Sequence, residues 1–104
     1  MTYGLKDKDI TAIKNVFAGF KQIEQAIIYG SRAKGNYKPA SDIDITFKGN
    51  GLDTTVINKI ATRLDDLLLP YTFDLSIHAH IQNPDLIEHI KRVGKVFYQY
   101  PVHA

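Results

Sequence analysis

The sequence predicts an α/β fold in which three or four strands form one sheet and the helices pack mainly on one of its faces. Three observations support this class. Apolar residues recur at helical spacing in three segments, and they alternate with polar residues or run together in three shorter ones. The two patterns also follow each other along the chain. With 104 residues, 44% hydrophobic and 23% charged, the composition is that of a single globular domain, residues 1–104.

Three segments have the periodicity of helices that bury one face. The first covers residues 7–20 and has its apolar positions at Ile10, Ile13, Phe17 and Phe20. The second begins at Asp53 or Thr54 and runs up to Pro70, with an apolar stripe made of Val56, Ile57, Ile60, Leu64, Leu67 and Leu68. The third begins around Pro84, which suits a first helical position, and its buried face comprises Leu86, Ile87, Ile90, Val93 and Phe97.

Three segments predict strands: residues 24–29, 42–48 and 71–78. Residues 31–35 form a short helical turn after the first strand, residues 36–41 form a loop, and the run Lys48-Gly49-Asn50-Gly51 ends the second strand. Residues 96–100 form either a short final strand or an extended tail. The helix between the second and third strands allows a crossover connection.

Three aspartates lie on the polar faces of two predicted strands. Asp42 and Asp44 alternate with Ile43, so both point the same way, and Asp74 shares a face with Ser76. Aspartate is disfavoured in strands, and neighbouring carboxylates repel each other unless a cation lies between them. Hard oxygen ligands suit Mg²⁺. If the two strands are neighbours, the three carboxylates form a metal site; the alternative is a solvated strand face.

A small-residue turn, Gly30-Ser31-Arg32-Ala33-Lys34-Gly35, directly follows the first strand. Free backbone N–H groups in such a turn can hold phosphate, and Gly30 lets a ligand approach the backbone closely. Arg32 would neutralise or orient a triphosphate. The same glycines would also serve a plain strand-to-helix turn, and Lys34, Lys38 and Tyr37 stay without an assigned role. His78 either touches substrate or metal or occupies an ordinary surface position.

These motifs resemble the nucleotidyltransferase superfamily that includes DNA polymerase beta. The superfamily pattern is a hydrophobic residue, Gly-Ser, about ten residues, Asp-hydrophobic-Asp, and later a third acid between hydrophobic residues. Here it reads Tyr29-Gly30-Ser31, ten residues, Asp42-Ile43-Asp44, and then Phe73-Asp74-Leu75. The longer run from Gly30 to Gly35, followed by Ser-Asp-Ile-Asp, is similar to minimal nucleotidyltransferases, the MNT proteins. The resemblance covers roughly residues 10–100.

The resemblance implies a small mixed sheet and a set of site residues. Asp42, Asp44 and Asp74 would be the catalytic residues and the ligands of Mg²⁺ in a two-metal site, with Mn²⁺ as a substitute. Asp74 would bind the catalytic metal and help to deprotonate the nucleophile. Gly30 and Ser31 would hold the triphosphate of ATP or another nucleoside triphosphate, and Arg32 is grouped with them as nucleotide-binding.

The resemblance also implies a partner. MNT proteins are commonly encoded with a helical HEPN protein, an RNase toxin for which the MNT protein is the antitoxin, and some transfer AMP to a tyrosine of the toxin. After Asp74 only about thirty residues follow, so we expect the acceptor on another protein and a hetero-oligomer. A binding module that neutralises its partner by masking is the alternative, and a nucleotidyltransferase that modifies a small molecule such as an antibiotic is less favoured.

The bulk composition limits the other function classes. A net charge of +2 is too small to argue for direct nucleic-acid binding. The sequence has no cysteine, which excludes disulfides and thiolate chemistry, and it shows no signal-peptide pattern and no long apolar run. We therefore expect a cytoplasmic protein that does not contact a membrane.

Overall fold

The computed structural model describes residues 1–100. The elements follow in the order α1 (Asp7–Ala18), β1 (Gln25–Tyr29), α2 (Gly30–Lys34), β2 (Ile43–Lys48), α3 (Thr54–Asp65), β3 (Phe73–Ile77), a 3-10 helix (His78–His80), α4 (Pro84–Val93) and β4 (Lys95–Gln99). The final segment is thus a strand rather than a tail. The predicted single domain extends to residue 104, and its last four residues lie outside the described part.

The four strands form one mixed sheet in the order β3-β2-β1-β4. Strand β1 is antiparallel to both β2 and β4, whereas β2 and β3 are parallel. Parallel neighbours need a crossover, and α3 supplies it between β2 and β3. The α/β class and the mixed sheet are therefore confirmed.

One face of the sheet carries the main hydrophobic core under α1 and α3. Ile43, Ile45 and Phe47, the alternate residues of β2, are fully buried there, as the period of two requires. Helix α1 packs Phe17 edge-on against Phe47, with ring centroids 5.2 Å apart. Helix α3 contributes its stripe of Val56, Ile60 and Leu64 to the same core. These helices hold β2 in a single register, because a shift by one residue would move Ile43, Ile45 and Phe47 from the core to the polar face.

The opposite face is polar along β2 and β3 and is covered beside β1 by α4. Ile90 of α4 is 4% exposed and packs with Ile27 and Tyr29 of β1 in a second, smaller cluster. Asn83 caps this helix by accepting from the N–H groups of Asp85 and Leu86. Helices α1 and α3 therefore lie on one face, and α4 lies against the other.

Several element ends differ from the sequence-based prediction. Helix α3 ends at Asp65 instead of continuing to Pro70, and Leu68, expected on its apolar stripe, is 90% exposed with φ +55°. Two acidic residues at a helix C-terminus oppose the helix dipole, and the residue before Pro70 is disfavoured in helical conformation. Strand β3 ends at Ile77, so His78 begins the 3-10 helix and is no strand residue.

The aromatic residues near the end of the described chain divide between the core and the surface. Phe97 and Tyr98 are buried, at 3% and 9% exposure, whereas Val96 and Tyr100 are exposed. Among residues 1–100, every helix is too short or too polar to cross a membrane.

Candidate active site

The acidic residues meet on the polar face where β2 and β3 begin. Asp44 and Asp74 are direct neighbours in the parallel register, and adjacent strands lie about 5 Å apart. Asp42 precedes β2 by one residue and is exposed. The two strands are thus neighbours, as the predicted metal site requires, and the sheet register places Asp44 beside Asp74.

The pKa of Asp44 responds to both neighbouring carboxylates. Its pKa is raised above the ordinary aspartate value, first by burial, then by the negative charge of Asp74, and then by that of Asp42. All three causes disfavour the ionised form of the carboxyl group. A cation bound among these oxygens would reverse the effect of the two neighbouring charges.

The glycine turn packs directly against this acidic group. Gly30 begins α2 with φ +72°, a conformation that L side chains rarely adopt. A Cβ atom at Gly30 would overlap Oδ2 of Asp44. The turn and Asp44 are therefore in direct contact, and glycine is needed at residue 30 both for its backbone angle and for the space that Asp44 occupies.

A histidine from α4 reaches the same turn. The Gly30 backbone N–H donates to Nε2 of His89 at 3.2 Å. The His89 ring also meets the Tyr29 ring edge-on, with centroids 6.1 Å apart. The sequence motifs assign His89 no role, because the contact joins residues 59 positions apart and only the docking of α4 on β1 creates it.

Polar side chains form the floor of the site between the acids and the centre of the sheet. Ser76 donates from Oγ to Oγ1 of Thr46 at 2.9 Å, across the parallel strands and one pair beyond the acids. Tyr29 lies beside them. Burial raises the pKa of Tyr29 most, Asp74 and Asp44 raise it further, and a hydrogen bond with Ser76 acts in the opposite sense. Its hydroxyl therefore remains protonated next to the carboxylates.

The family model of Polymerase beta nucleotidyltransferases matches residues 11–101. The chain belongs to the Polymerase beta nucleotidyltransferase family. The match contains the glycine turn, all three acids and α4. No curated protein sequence is significantly similar to the chain.

Solved structures of toxin–antitoxin complexes share this nucleotidyltransferase fold. A toxin–antitoxin crystallised with AMP-PNP has a TM-score of 0.70 and 21% identity, over 92% of this chain and 75% of the other. A tri-AMPylated Shewanella oneidensis HEPN toxin in complex with MNT antitoxin gives 0.66 and 17%, over 92% and 74%. The toxin–antitoxin MntA–HepT gives 0.66 and 18%, over 91% and 74%. These likenesses confirm the fold.

The donor set of this nucleotidyltransferase fits a hard divalent cation. Three carboxylates suit Mg²⁺, which takes one or two carboxylates together with water and phosphate oxygens. Within residues 1–100, however, no three His, Asp or Glu side chains are grouped closely enough to hold a metal ion as they stand. Asp44 and Asp74 are the pair that the sheet register places side by side, and exposed Asp42 lies two residues before Asp44. The assignment of the three aspartates as metal ligands stays a prediction.

The structure directs the side chain of Arg32 toward backbone carbonyl groups. Its side chain is 2% exposed and donates to three carbonyl oxygens, those of Ser41 at 3.0 Å, Tyr3 at 3.0 Å and Pro39 at 3.3 Å. The guanidinium also lies over the rings of Tyr37 and Tyr71, at 5.3 and 5.4 Å from their centroids. Its donors are thus occupied by the backbone of the loop and of the N-terminal segment. These contacts favour a structural role over the predicted nucleotide contact, which stays untested.

The residues without an assigned role also have defined places. Tyr37 packs on Arg32 and against Gly4, where a Cβ would overlap its ring, so it belongs to the loop and not to an open base-stacking position. Lys34 and Lys38 are exposed. His78 lies beyond the far end of β3 from Asp74, and burial together with nearby Lys48 lowers its pKa.

Proposed function

We propose that this protein is a metal-dependent nucleotidyltransferase that transfers AMP from ATP to a tyrosine hydroxyl of a HEPN-type toxin and so acts as its antitoxin. The observation that carries the proposal is the contact between the Gly30 turn and Asp44, which is itself paired with Asp74. A phosphate-holding turn beside converging carboxylates is the arrangement that phosphoryl transfer needs. Because ATP is the donor, we place the reaction in the cytoplasm.

Each site residue has a role in the proposed transfer. Asp42, Asp44 and Asp74 would hold Mg²⁺, with Mn²⁺ as a substitute, and the metal would neutralise charge on the phosphates and orient the reacting oxygens. Gly30 and Ser31 would bind the triphosphate. Exposed Asp74 would receive the proton of the acceptor hydroxyl. The hydroxyl oxygen forms a bond to the α-phosphorus as the bond to pyrophosphate breaks.

The partner and the donor are supported by what the neighbouring structures contain. One is a toxin–antitoxin complex with AMP-PNP, an analogue of ATP, and another contains a tri-AMPylated HEPN toxin in complex with MNT antitoxin. This chain spans about three quarters of those neighbouring chains. We extend their partner and their modification to it as the most economical account of an acidic site beside a phosphate turn.

Masking of the partner without chemistry is the second candidate. The observation in its favour is that residues 1–100 contain no ready group of three metal-binding side chains. In that case the acids would be a retained feature of the family, and binding alone would neutralise the toxin. The pairing of Asp44 with Asp74 argues against masking alone, because a protein that only binds its partner gains no stability from carboxylates that repel each other.

The deciding experiment combines the protein, a HEPN-type partner, ATP and Mg²⁺, and measures the intact mass of the partner. We expect a gain of one or more AMP groups, located on tyrosine by fragmentation. Asp42→Asn should keep the complex and abolish transfer, because it removes a proposed metal ligand and leaves the shape of the surface almost unchanged. Asp66→Asn, an exposed change at the end of α3, serves as the matched control. Full neutralisation of the toxin with no added mass would establish masking instead.

A further inference from the structure

The Gly30 amide is the one backbone group of the proposed phosphate turn that the structure shows bound to a side chain within the described residues, and that side chain comes from a different element. Gly30 N–H donates to His89 Nε2 on α4. Nothing in the proposed chemistry uses His89. A histidine that holds the backbone of a ligand-binding turn is in a position to determine how that turn meets its ligand.

We propose that His89 is a positioning residue for the nucleotide: by holding the Gly30 amide it sets the shape of the triphosphate turn and the place of Asp44. The inference rests on the proposed function, since it concerns the same turn and the same ligand. It assigns α4 a part in nucleotide binding, which the sequence motifs do not include.

His89 is itself held in place by the packing of α4 on β1. The next residue, Ile90, is almost fully buried against Ile27 and Tyr29 of β1. The His89 ring rests edge-on against the Tyr29 ring, and such pairs prefer this geometry. The position of the imidazole is thus determined by the packing of α4 on the sheet.

The bond from Gly30 determines which ring nitrogen of His89 carries the proton. Because Nε2 accepts from an N–H group, it carries no hydrogen itself, and the neutral ring must hold its proton on Nδ1. The accepted bond fixes the peptide plane between Tyr29 and Gly30. The amide and hydroxyl of Ser31, which follow that plane, then remain as donors for a phosphate.

Gly30 connects the turn to the acidic residue Asp44. Gly30 leaves no space between its Cα and Oδ2 of Asp44, so any shift of Gly30 changes the surface on which that carboxylate rests. The connection therefore runs from the buried face of α4, through His89, to Gly30 and Asp44. Loss of the imidazole should disturb phosphate binding and the carboxylate together.

The contact itself is measured on the folded wild-type protein by NMR. A through-hydrogen-bond coupling between the Gly30 nitrogen and His89 Nε2 is expected, with Nε2 showing the chemical shift of an unprotonated acceptor. This measurement needs no variant and no nucleotide. Absence of the coupling together with a protonated Nε2 would overturn the inference.

The functional arm compares MgATP binding by calorimetry in five proteins, the wild type and four variants. His89→Ala should bind MgATP roughly tenfold more weakly than the wild type, the equivalent of one lost hydrogen bond. His89→Gln, whose amide oxygen can take the place of Nε2, should recover most of the affinity. Glu88→Gln changes an exposed neighbour on α4 and should bind like the wild type.

Leu86→Ala separates positioning from simple loss of stability. Leu86 packs against the same cluster as Ile90, and its side chain cannot hydrogen-bond the turn, so this variant should lower the melting temperature without weakening MgATP binding. Equal loss of affinity in Leu86→Ala and His89→Ala would overturn the inference, as would wild-type affinity in His89→Ala. If His89→Ala does not fold, His89→Gln and the NMR coupling decide. Failure of the wild type to bind MgATP would instead overturn the proposed function, and the inference with it.

Discussion

Glycine at residue 30 is required by a carboxylate and not only by a turn. Its φ of +72° already favours glycine, and Oδ2 of Asp44 occupies the space where a side chain would begin. Gly35, at the end of the same short helix, has φ +91°, and the space that a Cβ would enter there is open, with no other atom within 4 Å. The two glycines therefore share the backbone requirement and differ in the contact, which makes them a matched pair.

Replacement of each glycine by alanine should separate the two effects. Gly35→Ala should cost about 1–2 kcal/mol of unfolding free energy from backbone strain alone. Gly30→Ala should cost about 1 kcal/mol more, because the new methyl group displaces Asp44, and it should also weaken MgATP binding strongly. Urea unfolding and calorimetry provide the two readouts. Equal stability and equal nucleotide affinity in the two variants would show that the Asp44 contact has no consequence.

Asp44 is destabilising in the metal-free protein because its charge is disfavoured there. Its folded-state pKa is raised by burial, by Asp74 and by Asp42. Below the ordinary aspartate pKa, near pH 4, both folded and unfolded chains are protonated and the residue contributes nothing. As the pH rises, the unfolded chain loses its proton first, so stability falls until the folded pKa is passed.

Asp44→Asn should therefore raise the melting temperature of the metal-free protein at pH 7.5 by roughly 1–3 °C, a small effect because the carboxylate is partly solvated. The gain should disappear at about pH 3.5, where the wild-type carboxyl group is neutral. Scanning calorimetry at both pH values, with EDTA present, measures the difference. Glu88→Gln, which removes one exposed negative charge from α4, is the control. A lower melting temperature for Asp44→Asn at pH 7.5 would contradict the assignment.

At the scale of elements, the site depends on two supports, one from α4 and one from α2. Helix α4 holds the turn from the polar face through His89, and Arg32 of α2 holds the loop of residues 36–41 and the N-terminal segment. Tyr71 continues this support, since its hydroxyl donates to Asp9 of α1. The segment between β1 and β2 is therefore held by His89 at Gly30 and by Arg32 at the loop of residues 36–41. Asp42 follows directly after this loop.

Arg32→Lys tests whether Arg32 serves the fold or the nucleotide. Lysine lacks the planar fork that reaches three carbonyl groups, so we expect a loss of about 2–3 kcal/mol in unfolding free energy. Lys34→Ala, an exposed change in the same helix, should stay within about 0.5 kcal/mol of the wild type. Chemical denaturation of both variants measures these differences. A stable Arg32→Lys protein with weakened MgATP binding would instead support the nucleotide contact predicted from the sequence.

At the scale of the whole molecule, the sheet divides packing from chemistry. One face is occupied by the main core under α1 and α3, and the other presents Asp44, Asp74, Thr46 and Ser76. Substitutions at the acids should therefore leave the fold intact. A ligand on the polar face, in turn, should stabilise the entire domain, because it binds only where β1, β2 and β3 are assembled.

MgATP should raise the melting temperature of the wild type by about 10 °C at a concentration roughly 100-fold above its dissociation constant, which corresponds to about 2.7 kcal/mol. The Asp42→Asn/Asp44→Asn double variant should fold and show no such shift. Thermal unfolding with ATP alone, Mg²⁺ alone and both together provides the measurement. The same shift in the double variant would place the nucleotide away from the three aspartates.

The sequence by itself determined the alternation of elements, the buried faces of β2 and α3, and the grouping of a glycine turn with three acids. These features follow from local rules: periods of two and 3.6, turn residues, and charges placed where strands disfavour them. The family could also be predicted from the sequence, because the glycine turn and the first two acids lie close together along the chain. The predicted end of α3 was wrong, since Leu68 continues an apolar pattern in a place where Pro70 and two aspartates end the helix.

Only the tertiary structure decided which groups of different elements meet. The pairing of Asp44 with Asp74 needed the parallel register of β2 and β3, and the bond from Gly30 to His89 needed the docking of α4 through Ile90. Arg32 lies within a phosphate-type motif, yet its side chain is buried among carbonyl groups of the chain itself. The physical reason is common to all three. The direction of a side chain and the partner that it meets depend on the packing of segments distant in sequence. A local sequence pattern does not determine that packing.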